Sequence, residues 1–130
     1  MDNYRQIVRN MRDNMIQIRH NYWEELQACP RGSLWKTEQG GRTNYFWAYR
    51  EGNGYIRKGI SSNPQMQQQL ARKAYLTKSL KLLDRNILQL NKLLNSMEPL
   101  ELGAIVSRLT KAYQDLPGEY FLCPPGDSAS

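Results

Sequence analysis

Apolar and polar positions alternate with different periods along this chain. Over residues 2–28, Tyr4, Met11 and Ile18 recur every seven residues, and so do Val8, Met15 and Tyr22. Together they form one apolar stripe, which predicts an amphipathic helix. Pro30 and Gly32 end it and open a turn. Over 33–61 the period shortens. Ser33–Glu38, Thr43–Arg50 and Tyr55–Ile60 are rich in β-branched and aromatic residues. Gln39-Gly40-Gly41-Arg42 and Glu51-Gly52-Asn53-Gly54 separate them. Gly and Asn accept the positive φ of tight hairpin turns. The segment therefore predicts a three-stranded antiparallel meander.

Asn63-Pro64 is a helix start, with Asn as N-cap and Pro at the first helical position. The pattern carries this helix to Met97, before Glu98-Pro99. Its C-terminal half repeats by sevens, Leu76, Leu83 and Leu90 on one line and Leu80, Ile87 and Leu94 on the next. Leu82 and Leu93 lie off these lines, so more than one face is open to being covered. Such a helix runs roughly 50 Å. The leucine lines read as core against the first and third helices; a compact domain of this length has a radius of gyration near 14 Å, so the overhang leaves room for a homodimer through the long helix. A third helix is expected from Pro99 to Asp115, carrying Leu102, Ile105, Val106, Leu109 and Tyr113, and stopped by Leu116-Pro117-Gly118. Residues 119–130 read as a flexible tail. The expected fold is α+β, a single domain over 1–118: N-terminal helix, three-stranded antiparallel β-meander, long helix, shorter C-terminal helix, tail.

Charge sharpens this picture. The 130 residues hold 18 Lys+Arg against 12 Asp+Glu, a net +6. Residues 1–62 carry +4, residues 63–92 carry +5, and the remainder carries −3. No run approaches the roughly 18 apolar residues of a membrane span. Met1-Asp2-Asn3-Tyr4-Arg5 lacks the apolar stretch of a signal peptide, and a cytoplasmic setting is expected. Cys29 and Cys123 then read as free thiols. His20 is the single histidine and lies mid-helix, where a solvated role is expected. Glu98, Glu101, Asp115 and Glu119 match no metal-ligand spacing. Gly54 to Ser61 spaces two glycines like a phosphate loop, but Ile60 stands where its lysine belongs. The expectation is no enzyme, no cofactor and no metal.

What is present is a cluster of rings. Six of the 13 aromatic residues lie between positions 35 and 55. If parity carries through both turns, Leu34, Phe46, Ala48, Ile56 and Ile60 share one face of the sheet. Trp35, Tyr45, Trp47, Tyr49 and Tyr55 then share the other, with Thr37, Thr43 and Arg57. Two readings of that aromatic face stand open: an exposed platform, or the core face buried under the helices. The platform reading selects Trp35, Lys36, Arg42, Tyr45, Trp47, Tyr49, Arg50, Arg57 and Lys58, because rings stack on bases while Arg and Lys meet phosphate. A second basic surface is expected from Arg5, Arg9, Arg12 and Arg19 on the first helix, with Lys78, Lys81 and Arg85 on the long one.

Arg31-Gly32-Ser33-Leu34, the Gly40-Gly41-Arg42 turn, Tyr45-Phe46-Trp47-Ala48-Tyr49-Arg50-Glu51-Gly52 and Tyr55-Ile56 resemble a small domain family of unknown function. A helix with an Ala-x-Lys-x-Tyr-Leu core follows there, as Ala71, Lys73, Tyr75 and Leu76 do here. Such domains occur in uncharacterised bacterial, archaeal and mobile-element proteins, some with a C-terminal PD-(D/E)XK-type nuclease domain. That part has no counterpart after Pro99. The layout is also similar to the three-stranded DNA-binding arm domains of phage integrases. The charge block and the aromatic sheet lead to the expectation of a non-enzymatic nucleic-acid-binding accessory protein, for DNA or RNA, and the resemblance implies a bacterial mobile element or phage as its setting. The alternative is a protein-binding inhibitor of a bacterial nuclease defence complex, of the anti-CRISPR or anti-defence kind, docking through the same sheet and basic helix faces.

Overall fold

The computed structural model describes residues 3–98, 100–122 and 124. Two long helices, α1 (Asn3–Gln27) and α2 (Pro64–Ser96), are joined by a meander of β1 (Ser33–Gln39), β2 (Arg42–Glu51) and β3 (Gly54–Gly59). Three short helices follow, α3 (Leu102–Val106), α4 (Lys111–Gln114) and α5 (Glu119–Leu122). The fold is α+β, and the sheet order is β1-β2-β3, antiparallel throughout.

α1 and α2 form an antiparallel hairpin. Arg5 Nη1 donates to the carbonyls of Leu94 (2.8 Å) and Met97 (2.7 Å), which caps the C-terminal end of α2. Further along, Arg12 donates to Asn91 Oδ1 (3.1 Å), and Arg19 pairs with Asp84. At the other end Tyr22 meets Tyr75 edge-on at 6.3 Å, and Arg72 grips Glu25 through two hydrogen bonds of 2.6 and 2.9 Å. Val8, Met15, Ile18, Tyr22 and Leu26 are the half-covered apolar residues of α1. Both leucine lines of α2 are buried or half-buried, and Leu76 is fully buried. Of the expected α1 stripe, Tyr4 and Met11 stay exposed. The contact line runs through Arg5, Arg12 and Arg19 on their far flank.

The sheet is fastened to the start of α2. Asn63 Oδ1 accepts from the Met66 amide (3.1 Å), as an N-cap should. Gln67 Nε2 donates to the Ile60 carbonyl (2.7 Å), and the Tyr45 amide donates to Ser61 Oγ (2.9 Å). Tyr49, Ile60 and Leu70 are buried at this junction, and Ala48 is buried within the sheet on its other face.

The third helix differs from expectation. In place of one helix over 99–115 there are two short ones. Arg108 and Leu109 amides bond the carbonyls of Ile105 and Val106, three residues back, and the Ser107 hydroxyl donates to Ala104 O. The turn tightens, and Thr110 is extended at φ −65°, ψ 164°. Gln114 Nε2 then takes the Val106 and Leu109 carbonyls that a continuing helix would have used. Within the expected tail, residues 119–122 make the helical turn α5. Cys123 and residues 125–130 lie outside the described residues. Cys29 is a free thiol.

Candidate functional site

Two turns decide which side chains share a face. Gln39 pairs with Arg42, and Glu51 pairs with Gly54, so each hairpin loop has two residues. Gly40 and Gly41 both have positive φ, and Gly52 alone does in the second loop. These are the signatures of the two turn types whose twist matches a hairpin. A two-residue loop pairs odd positions with even ones. Side-chain parity therefore inverts at each turn, and the grouping expected from unbroken parity is corrected for β2.

One face carries Trp35 beside Phe46, and Ser33, Ala48 and Arg57 in one row. Arg42, Arg50 and Tyr55 complete it. Trp35 is 46 % exposed and Tyr55 is 69 % exposed. All three arginines are exposed, and Phe46 is half-covered. The Arg57 guanidinium lies 4.5 Å from the centre of the Trp35 ring and 5.5 Å from Phe46, and Arg50 lies 5.4 Å from Tyr55. This face is an array of rings with guanidinium groups resting on them.

The opposite face carries Leu34, Lys36, Tyr45, Trp47, Tyr49, Ile56 and Lys58. It is the covered face. Tyr49 is 5 % exposed, and Tyr45, Trp47 and Ile56 are half-buried. Arg31 stacks on the Tyr49 ring at 4.5 Å, and Trp47 Nε1 donates to the Arg31 carbonyl (2.7 Å). Trp47 and Tyr49 lie against each other with centres 4.4 Å apart, and Lys58 Nζ reaches both, at 5.8 and 5.7 Å. Lys36 pairs with Glu38 at 2.9 Å. Ser33 and Leu34 on one side and Leu70, Ala74, Thr77 and Lys78 on the other line a cleft of about 470 Å³ between β1 and α2.

The expected site thus divides. Trp35, Arg42, Arg50 and Arg57 come together on the open face. Lys36, Tyr45, Trp47, Tyr49 and Lys58 lie on the covered one, where Tyr45, Trp47 and Tyr49 serve packing. Phe46 and Tyr55 join the open face without having been selected. The signal that finds Phe46 is the two-residue count of each loop, whereas alternation alone already sets Tyr55 on the face of Trp35 and Arg57.

The arginine surface of α1 is corrected as well. Arg5, Arg12 and Arg19 point at α2 and are engaged there, because their spacing follows the contact line. Arg9 is exposed. Lys78, Lys81 and Arg85 are exposed on α2. They lie on the arc of the helix that also faces the cleft beside β1, within about 60° of one another at 100° per residue. Among the described residues, no three His, Cys, Asp or Glu side chains converge as a metal site, and no helix is long and apolar enough to cross a membrane. No family model matches the chain, and neither a curated protein nor a solved structure does.

Proposed function

We propose that this protein binds nucleic acid through the open face of its sheet, with no reaction of its own. One observation carries the reading: Arg42, Arg50 and Arg57 share a face with Trp35, Phe46 and Tyr55, and the Trp35 and Tyr55 rings are exposed there. Arginines supply the phosphate contacts that dominate affinity, and exposed rings stack on bases of any sequence. Paired bases hide their ring faces, so the ring array favours unpaired strands. Arg57 then has two partners in turn. It rests on Trp35 in the free protein and moves to phosphate when a base takes the ring. Following the resemblance over residues 31–95, we take the protein as an accessory of a bacterial mobile element or phage, working in the cytoplasm.

The test is fluorescence anisotropy with a labelled single strand and the matching duplex, each at two salt concentrations. The expected result is binding of the single strand tighter than about 100 µM at low salt, weakening steeply as salt rises. Arg57→Ala and Trp35→Ala should each weaken it by roughly ten-fold. Absence of binding at low salt overturns the reading. Trp, Tyr and Arg are also the residues that dominate protein interfaces. A chain that ignores nucleic acid but retains a nuclease complex after nuclease treatment would be the anti-defence inhibitor instead.

A further inference from the structure

We infer that the chain pairs with a second copy of itself, through the flank of the helical hairpin that carries Tyr75, Leu82 and Leu93. The first observation is area. The chain exposes 10273 Å², whereas a compact monomer of 15.2 kDa exposes about 7,100 Å². The excess of roughly 3,000 Å² per chain is more than the roughly 1,000–2,500 Å² that each subunit of a lasting dimer gives up.

The second observation says where the pairing occurs. On α2, Tyr75, Leu82 and Leu93 are exposed, Leu82 at 53 %. They fall within about 20° of one another and roughly 100° from the leucine lines that meet α1. Every charged residue between positions 73 and 96, namely Lys73, Lys78, Lys81, Asp84, Arg85 and Lys92, lies elsewhere on the helix. Together these charges leave about 220° of circumference without one. One neighbouring helix cannot cover so wide an arc, and α1 already occupies one flank. The Tyr22–Tyr75 contact marks which side of α1 adjoins the bare stripe. On that side α1 shows Tyr4, Ile7 and Met11, all exposed. The arginines that lace the hairpin to Asn91 and Asp84 lie on the other side. On α2 this face carries Tyr75, Leu82 and Leu93 interleaved with the uncharged Ser79, Asn86 and Gln89, and its one α2 charge, Arg72, lies at the end nearest the sheet, already paired with Glu25 and resting 5.3 Å from the Tyr75 ring.

The occupant follows from length. Tyr75 to Leu93 spans about 27 Å of helix. Helices α3, α4 and α5 have 5, 4 and 4 residues, so none offers a continuous stripe of that reach. A second copy offers the same stripe about a two-fold axis. Two hairpins packed this way make a four-helix bundle with both sheets outside it. Pairing of this kind requires nothing of the open sheet face and holds whether or not that face binds nucleic acid.

Sedimentation equilibrium of the full chain under reducing conditions is the test. The expected mass is about twice 15.2 kDa at micromolar concentration. Leu82→Glu should raise the dissociation constant at least ~30-fold, the range of an interface hot spot. Leu88→Glu, about 120° further round the helix, should leave it unchanged. Leu93→Lys is read in the same way, should Leu82→Glu disturb helicity by circular dichroism. A wild-type chain that stays monomeric to 100-fold higher concentration overturns the inference. So does a dimer that Leu88→Glu dissociates as readily as Leu82→Glu, and so does a monomer whose Tm falls with Leu82→Glu, which would mean the chain covers the stripe itself.

Discussion

Gly32 holds the covered face of the sheet in place. Its φ is +89°, and a Cβ built there would stand 2.3 Å from the Ala48 carbonyl oxygen and 2.8 Å from Tyr49 Cβ. The approach is what lets Arg31 reach the Tyr49 ring and accept the Trp47 indole, and what lets Lys73 Nζ donate to the Gly32 carbonyl at 2.9 Å. A side chain here meets two penalties. The left-handed backbone alone costs about 1–2 kcal/mol for an L-residue, and the collision is with backbone, which cannot swing aside. Gly32→Ala should therefore lower unfolding stability by at least about 2 kcal/mol, read from urea midpoints at unchanged slope. A loss under about 0.5 kcal/mol, the range of an indifferent surface substitution, would show that the loop is not seated on β2.

Among the elements, the hairpin of α1 and α2 is asymmetric. One flank is laced by Arg5, Arg12 and Arg19, and the other carries the Tyr22–Tyr75 contact and the Arg72–Glu25 pair. The Arg72 hydrogen bonds hold the Glu25 carboxyl below the usual carboxylate range, and Glu25 in turn pushes the guanidinium further up. A carboxyl lowered on folding stabilises the fold above its unfolded value, and the gain is lost as pH falls through the folded one. The Tm gap between wild type and Arg72→Gln should thus be small at neutral pH, since the pair is exposed, and should close in acid. A gap that widens in acid would refute the assignment. Much of this layout is legible in the sequence. The Asn63-Pro64 start and both leucine lines of α2 emerge directly, because propensity and period agree there. Face parity does not emerge from alternation alone, since it depends on whether a turn holds two residues or three. The α1 arginines mislead for a different reason: three cations spaced 7 and 7 look like a solvated face until a partner helix supplies Asp84, Asn91 and the open carbonyls of its own C-terminus. The C-terminal segment is hard to read because Gln114 competes for helix carbonyls from outside the helix.

At the scale of the whole molecule, the net +6 resolves into used and unused charge. Arg5, Arg12, Arg19, Lys36, Arg72, Lys73 and Arg108 are all engaged within the chain. Arg42, Arg50 and Arg57 project from the open sheet face, and Lys78, Lys81, Arg85 and Lys92 from the arc of α2 on the sheet's side. The α2 cations and the Tyr75–Leu82–Leu93 stripe therefore occupy neighbouring arcs of the helix, about 40° to 120° apart. A strand bound on the sheet can extend along the cation arc of α2, beside the stripe. Removing one cation that neutralises a phosphate should flatten the dependence of log affinity on log salt by about 0.7 for a single strand. The double substitution Lys81→Glu with Arg85→Glu should then weaken single-strand binding and reduce the slope by one to two such steps. Arg12→Gln removes the same charge from the formal total as neutralising either one, yet it should lower Tm and leave the slope as it is, because Arg12 is spent on Asn91. Anisotropy titrations at four salt concentrations separate the two outcomes. If Arg12→Gln flattens the slope while the α2 pair does not, the strand runs over α1, and the division into used and unused charge is wrong.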